Sequence, residues 1–205
     1  MKDEKIYWLL INEGFSSWFK DMWSRLRGRK EKTLSRYMKP IVESILPLSG
    51  YKEIRSTLLR SRRRMRKFIE KIEVRNNPND VLIVGSKSFG VKEVNDLFHR
   101  RKINIGKIAW IAVDGHAPWV FGKSYNEKRP FIIPAWMMGK DRTVKKEYSL
   151  TCVVQRDKYP RGAEIVGAKG IRVIIIVGTD HSKIVEDSTT LMAVKKVSMW
   201  AKVGI

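Results

Sequence analysis

The 205-residue chain is poor in several things at once. It has one cysteine, Cys152, and three histidines, His99, His116 and His181. A lone cysteine excludes an intrachain disulfide and argues against a thiol-ligated metal, which fits a reducing, cytosolic compartment. The histidines are far apart and share no ligand spacing, and a zinc site needs about four converging ligands. No metal and no cofactor are therefore expected. No stretch approaches the roughly 18 consecutive apolar residues of a membrane-spanning helix. The opening MKDEKIYWLLINE has too short an apolar run for a signal peptide. Acidic residues are scarce, with 21 Asp and Glu against 42 Lys and Arg, and no carboxylate pair stands out. None of the seven prolines is followed by another.

What is present is a core and a surplus of positive charge. Hydrophobic residues make up 43% and aromatics 10% of the chain, enough for a packed interior, and the net charge is +21. Such an excess repels itself and favours a polyanionic partner.

Periodicity divides the chain. Ile11, Phe15, Trp18, Phe19, Met22, Trp23 and Leu26 recur in steps of three and four, one face of a helix. Arg25, Arg27, Arg29 and Lys30 flank it, and this aromatic face with a basic border is the pattern of a helix lying in a bilayer interface. A short helix is expected over KPIVESIL, between Pro40 and Pro47. A longer one is expected from about Tyr51 to Ile72, its outer side carrying Arg60, Arg62, Arg63, Arg64, Arg66 and Lys67. Those six cations are a candidate polyanion- or nucleic-acid-binding face, gripping phosphates without reading bases; the resemblance given below would make their partner the nucleocapsid. Tyr7 and Leu10 in YWLL fit a Y-x-x-L late-domain pattern that recruits membrane-scission machinery.

The turn NNPND (76–80) marks the expected boundary, dividing a basic amphipathic helical arm (1–72) from a core domain (73–205). Beyond it VLIV (81–84) reads as a strand and VKEVNDLFH (91–99) as a helix. INIGKIAWIAV (103–113), PWVFG (118–122), RPFIIPAWMM (129–138), EYSLTCVVQ (147–155) and GIRVIIIVG (170–178) read as strands between turns. Residues 198–205 fit strand or helix. The expected fold class is α+β: a mostly antiparallel sheet packed by helices, preceded by a basic helical N-terminal arm.

Motifs for chemistry are weak by pattern. GSKSFGVK (85–92) has the glycine spacing of a phosphate loop, but Val91 stands where that loop needs its lysine. It reads as a turn before a helix. Asp180, His181 and Ser182 are adjacent in TDHS, and neighbours in sequence rarely face one another as a catalytic triad must. Cys152 reads as a buried small hydrophobe. No enzymatic activity is expected.

RKINIGKIAWIAVDG (101–115), KRPFIIPAWMMGK (128–140), EYSLTCVV (147–154), EIVGAKGIRVIII (164–176) and KIEVRNNP (71–78) resemble, in order and spacing, the matrix proteins of rhabdoviruses. That resemblance implies a protein that condenses the helical nucleocapsid, ties it to the inner envelope leaflet, self-associates and drives budding. It implies as partners the viral nucleoprotein–RNA complex, anionic membrane lipids, a second copy of the chain, the glycoprotein tail and host budding machinery. It places the protein in the virion beneath the envelope, and in the host cytoplasm at the inner face of membranes. The family's Pro-Pro-x-Tyr motif is absent. The alternative expectation is a nucleic-acid-binding viral protein of the movement or genome-packaging kind, with no membrane role.

Overall fold

The computed structural model describes residues 3–12, 34–56, 59–101, 103–114, 147–155, 171–176, 179 and 183–202. Their elements run β1 (Ile6–Asn12), α1 (Leu34–Ile45), β2 (Leu48–Arg55), α2 (Leu59–Glu73), β3 (Val81–Lys87), α3 (Phe89–Arg100), β4 (Lys107–Val113), β5 (Glu147–Gln155), β6 (Ile171–Ile176) and α4 (Ser188–Lys202). The six strands form one sheet in the order β2-β1-β3-β4-β5-β6, and every neighbouring pair is parallel.

This corrects the expected fold class. The sheet is parallel because its central strands are apolar on both faces. Every residue of β3 and of β4 is buried, so helices must cover the sheet from either side, and only crossover connections put them there. On one face α2 and α3 bring Met65, Ile69, Val91, Val94 and Phe98 onto Leu9, Leu82, Val84, Ile108 and Trp110. On the other, α1 and α4 bring Leu34, Met38, Val42, Val194 and Val197 onto Trp8, Leu10, Ile83 and Ile111.

The basic helical arm is corrected with it. The stretch that begins at Tyr51 is two elements: the edge strand β2 ends at Arg55, and α2 begins at Leu59. Strands on both sides of the 72/73 division belong to the one sheet. The helix expected near Pro40 is α1, which starts earlier, at Leu34, and carries Pro40 inside it. The helix expected at 91–99 is α3, and residues 198–202 close α4. The runs 118–122 and 129–138 lie outside the described residues. Among those described, no helix is long and apolar enough to cross a membrane.

Candidate active site

The strand order reverses direction between β1 and β3. From β1 the chain passes through α1 to β2, at one edge; from β2 it returns through α2 to β3, on the other side of β1. The segment leaving β1 leads to a helix on one face, and the segment leaving β3 leads to a helix on the opposite face. The carboxyl ends of these strands therefore open a crevice, the place where open parallel sheets bind ligands.

Ser88 stands at the mouth of that crevice. It joins β3 to α3 in a single-residue turn with φ 54 and ψ −123. That conformation is closed to most side chains and costs on the order of 1–3 kcal/mol. A serine preceding a helix ordinarily turns its hydroxyl back to cap it. Ser88 makes no such capping bond, so the strain is not explained by helix capping. Its backbone N–H donates to the Val113 carbonyl at 3.0 Å, and the Val91 N–H donates to the Ser88 carbonyl at 3.1 Å. These two bonds fix the turn between β4 and the first turn of α3.

The residues two before and two after Ser88 are small, for separate reasons. A Cβ on Gly90 would lie 2.7 Å from the Ile11 carbonyl oxygen and 2.9 Å from Ile11 Cγ2. Only glycine lets the start of α3 approach β1 this closely. Ser86 is buried, and its Oγ accepts a hydrogen bond from Trp110 Nε1 at 2.7 Å. The Trp110 ring packs edge-on against Phe98 of α3, with centroids 5.4 Å apart. The sequence is thus small-x-Ser-x-Gly over 86–90, on a strand–turn–helix, which is the context of a nucleophile elbow.

Two neighbouring features frame the serine. Asp114 follows β4 directly, with φ 43 and 2% exposure, and its N–H donates to the Val153 carbonyl of β5 at 2.7 Å. Asn12 ends β1. Its Oδ1 accepts from the Leu34 N–H at 3.2 Å, and its Nδ2 donates to Glu53 Oε1 in a close contact. Ser35 Oγ and Tyr51 Oη also donate to Glu53, at 2.9 and 3.0 Å. Burial, followed by the Glu53 carboxylate, pushes the Tyr51 phenol well above its ordinary range, so it remains a donor. This network holds both ends of the 13–33 connection.

Eight percent of residues are identical to a peroxisomal alpha-beta-hydrolase from Saccharomyces cerevisiae whose structure superposes with a TM-score of 0.54, over 98% of this chain and 78% of that one. A metagenome-derived lipolytic enzyme superposes with a TM-score of 0.51 at 10% identity, over 97% of this chain and 94% of that one. The fold is that of the alpha/beta-hydrolases. No family model and no curated protein matches the sequence.

An alpha/beta-hydrolase fold overturns the rhabdovirus matrix reading, since an all-parallel, doubly covered sheet is a different architecture from the α+β domain that reading implied. The movement or packaging alternative falls on the same ground. The nucleoprotein–RNA, anionic-lipid, self-association, glycoprotein-tail and budding-machinery partners lose their support with it. The expectation of a non-enzyme loses its ground in a fold shared with hydrolases; among the motifs it dismissed, residues 85–92 were tested in a frame beginning at Gly85, one residue before the small-x-Ser-x-Gly run at 86–90.

Of the sequence-derived site residues, those described lie in β1 and on α2. Phe15, Trp18, Phe19, Met22, Trp23, Arg25, Arg27, Arg29 and Lys30 lie outside the described residues. Tyr7 and Leu10 are inside β1, and Leu10 is fully buried at 0% exposure. On α2, Arg62 is held by Asp96 at 2.6 Å and Arg66 lies 3.9 Å from Glu70. Arg60, Arg63, Arg64, Arg66 and Lys67 are exposed on the outer side of a crossover helix whose inner side is Met65, Ile69 and Ile72. Among the described residues no group of three His, Cys, Asp or Glu could hold a metal.

Proposed function

We propose that the chain is a serine hydrolase acting on carboxylic esters, with Ser88 as nucleophile. The single observation that carries this is the backbone of Ser88, held at φ 54 and ψ −123 between β3 and α3 at the reversal of strand order. That conformation presents a hydroxyl at the carboxyl edge of the sheet. Attack by Oγ on the ester carbonyl carbon needs a base to take the hydroxyl proton and later deliver it to the leaving alcohol. His181 is the proposed base. It follows β6 by five residues in the chain (β6 ends at Ile176), in the serine-to-acid-to-histidine order of this fold, and it lies outside the described residues. The backbone N–H of Phe89, the first residue of α3, is the proposed donor to the oxyanion, because first-turn amides point out of their helix. Water then attacks the acyl-serine, with the same base assisting.

One of the similar structures is a lipolytic enzyme, which makes p-nitrophenyl esters of short and medium acyl chains the first substrates to test. Wild-type protein is expected to hydrolyse them and to be labelled at Ser88 by a fluorophosphonate. Ser88→Ala should lower kcat by about 10⁴-fold or more and abolish labelling, with an unchanged melting profile. Absence of both hydrolysis and labelling in folded wild-type protein would refute the reading.

A further inference from the structure

The amino half of the sheet carries a cavity that the proposed ester chemistry does not use. We propose that it is a binding site for a medium-chain carboxylate, with the tail on Val197, Met199 and Trp200 and the carboxylate at Lys196. This goes beyond the reading of Ser88 as nucleophile and does not rest on it.

The cavity follows from which residues face α4. Partners in a parallel ladder point to the same side of the sheet, and successive residues alternate. β4 and β5 pair Ala109 with Ser149 and Val113 with Val153, and Ala109, Val113 and Val153 belong to the core beneath α1 and α4. Toward the carboxyl end the pair on this face is valine with valine. Toward the amino end it is alanine with serine, too small to fill the space under α4. What is left is a cavity of about 530 Å³, lined by Ser149, Lys196, Val197, Met199 and Trp200. That volume is in the range of small-molecule sites, and the lining has their character, mostly apolar with a few polar groups. The next residue of β5 on this face, Thr151, is 1% exposed, and its Oγ1 has no hydrogen-bond partner among the described residues. Ser149 is level with Ala109 and Ser88 with Asp114, so five residues, roughly 16 Å along the strands, separate the cavity from the elbow.

The lining residues divide by chemistry. Val197 is buried, Trp200 is partly buried against the core, and Met199 is half exposed at the rim. Lys107 Nζ lies 4.7 Å from the Trp200 ring centroid, and this cation–π contact holds the indole in place as a wall. Lys107 also faces Glu4, whose carboxyl is pushed up by burial and drawn back by that ammonium. It is therefore already matched. Lys196 is exposed and has no carboxylate partner among the described residues. One ammonium at the rim with one hydroxyl, Ser149, suits a monoanion, whereas a phosphate dianion calls for a fork of donors.

The test is isothermal titration of the full chain with decanoate, octanoate and decanol. Decanoate should bind saturably, one to one. Octanoate, two methylenes shorter, should bind about tenfold more weakly, and decanol about threefold or more weakly, because it brings no charge. Lys196→Glu and Met199→Glu change exposed positions. Each should weaken decanoate by about tenfold or more, with the melting temperature within a few degrees. Lys71→Glu, the same charge reversal on α2, should leave binding within about twofold. Absence of saturable binding by folded wild-type protein overturns the proposal. So does binding that Lys196→Glu and Met199→Glu leave unchanged, which places the ligand elsewhere, the crevice of Ser88 included. An equal loss in Lys71→Glu reduces the effect to net charge, and equal affinity for decanol removes the carboxylate from recognition; either result overturns it as well. Hydrolysis has no part in the readout, so failure of the Ser88 reading leaves the outcome intact.

Discussion

The two ends of the parallel sheet both bury polar side chains and both contain positive-φ residues, yet they are built differently. At the amino end, Asp80 is 1% exposed and accepts from the Lys5 N–H at 3.0 Å, Arg75 Nε at 3.0 Å and Asn77 Nδ2 at 3.1 Å. Its carbonyl accepts from the Lys107 N–H at 3.3 Å. The positive φ there belongs to Asn76, at 45, whose N–H closes the end of α2 by donating to the Glu73 carbonyl at 2.9 Å. Asparagine is a residue type that visits this conformation readily, and a helix end is where it is wanted. At the carboxyl end the positive φ values belong to Ser88 and Asp114. Serine has no such preference, and its turn is enforced from outside by β4, α3 and the close approach of Gly90 to β1. Saturated bonding with a permissive residue fits a structural role; the enforced conformation of Ser88, a reactive residue type, fits the proposed nucleophile.

The sharpest way to break this comparison is to truncate the amino-end carboxylate. Asp80→Ala removes the acceptor from three donors and takes the ion-pair partner from the partly buried Arg75, which keeps its bond to the Asp3 carbonyl. The expected cost is about 2–4 kcal/mol of folding stability, read as a lower denaturation midpoint in urea, with kcat of the folded protein within about threefold of wild type. A large loss of kcat at unchanged stability would mean that the two ends do not divide as argued.

The next test bears on how the elbow is enforced. Gly90→Ala places a Cβ 2.7 Å from a backbone oxygen of β1, and neither partner is a flexible side-chain tip. The start of α3 must move away. A destabilisation of about 1–3 kcal/mol is expected, together with a fall in kcat of about tenfold or more, because displacing the proposed nucleophile by a fraction of an ångström is enough to impair attack. Loss of stability with kcat intact would show that Ser88 is not placed by this contact.

Much of the secondary structure was readable from local pattern, and its assembly was not. VLIV, KIAWIAV and IRVIII announced β3, β4 and β6 as apolar runs, and the spacing of Val91, Val94, Leu97 and Phe98 announced α3. The runs are continuous rather than alternating, and a helix separates β3 from β4. Those two signals together indicate a parallel sheet covered on both faces, and they were available. β2 was hidden because it is an edge strand with polar outward positions, and because Ile54 happens to continue the helical spacing of α2. β1 read as a short apolar run and as YWLL, whose Leu10 is in the core, with Ile11 assigned to a helical face instead. The elbow was legible as small-x-Ser-x-Gly after a strand, although Ser86 replaces the usual first glycine. What no pattern displays is the φ of Ser88 and Asp114, since both depend on three strands meeting at one edge. Asp114 read simply as the first half of a DG turn.

The smallest expected effect concerns Asn76. Glycine there keeps access to φ 45 while losing the side chain and adding freedom to the unfolded chain. Asn76→Gly should therefore change stability by no more than about 0.5 kcal/mol and leave ester hydrolysis untouched. Ser88→Gly would ease the positive φ at the other end, yet it deletes the hydroxyl, so its stability should hold or rise while activity vanishes. A protein that gains stability when it loses Ser88 is keeping that residue for something other than folding. If instead Asn76→Gly impaired hydrolysis and Ser88→Gly unfolded the chain, the roles assigned to the two ends would be reversed.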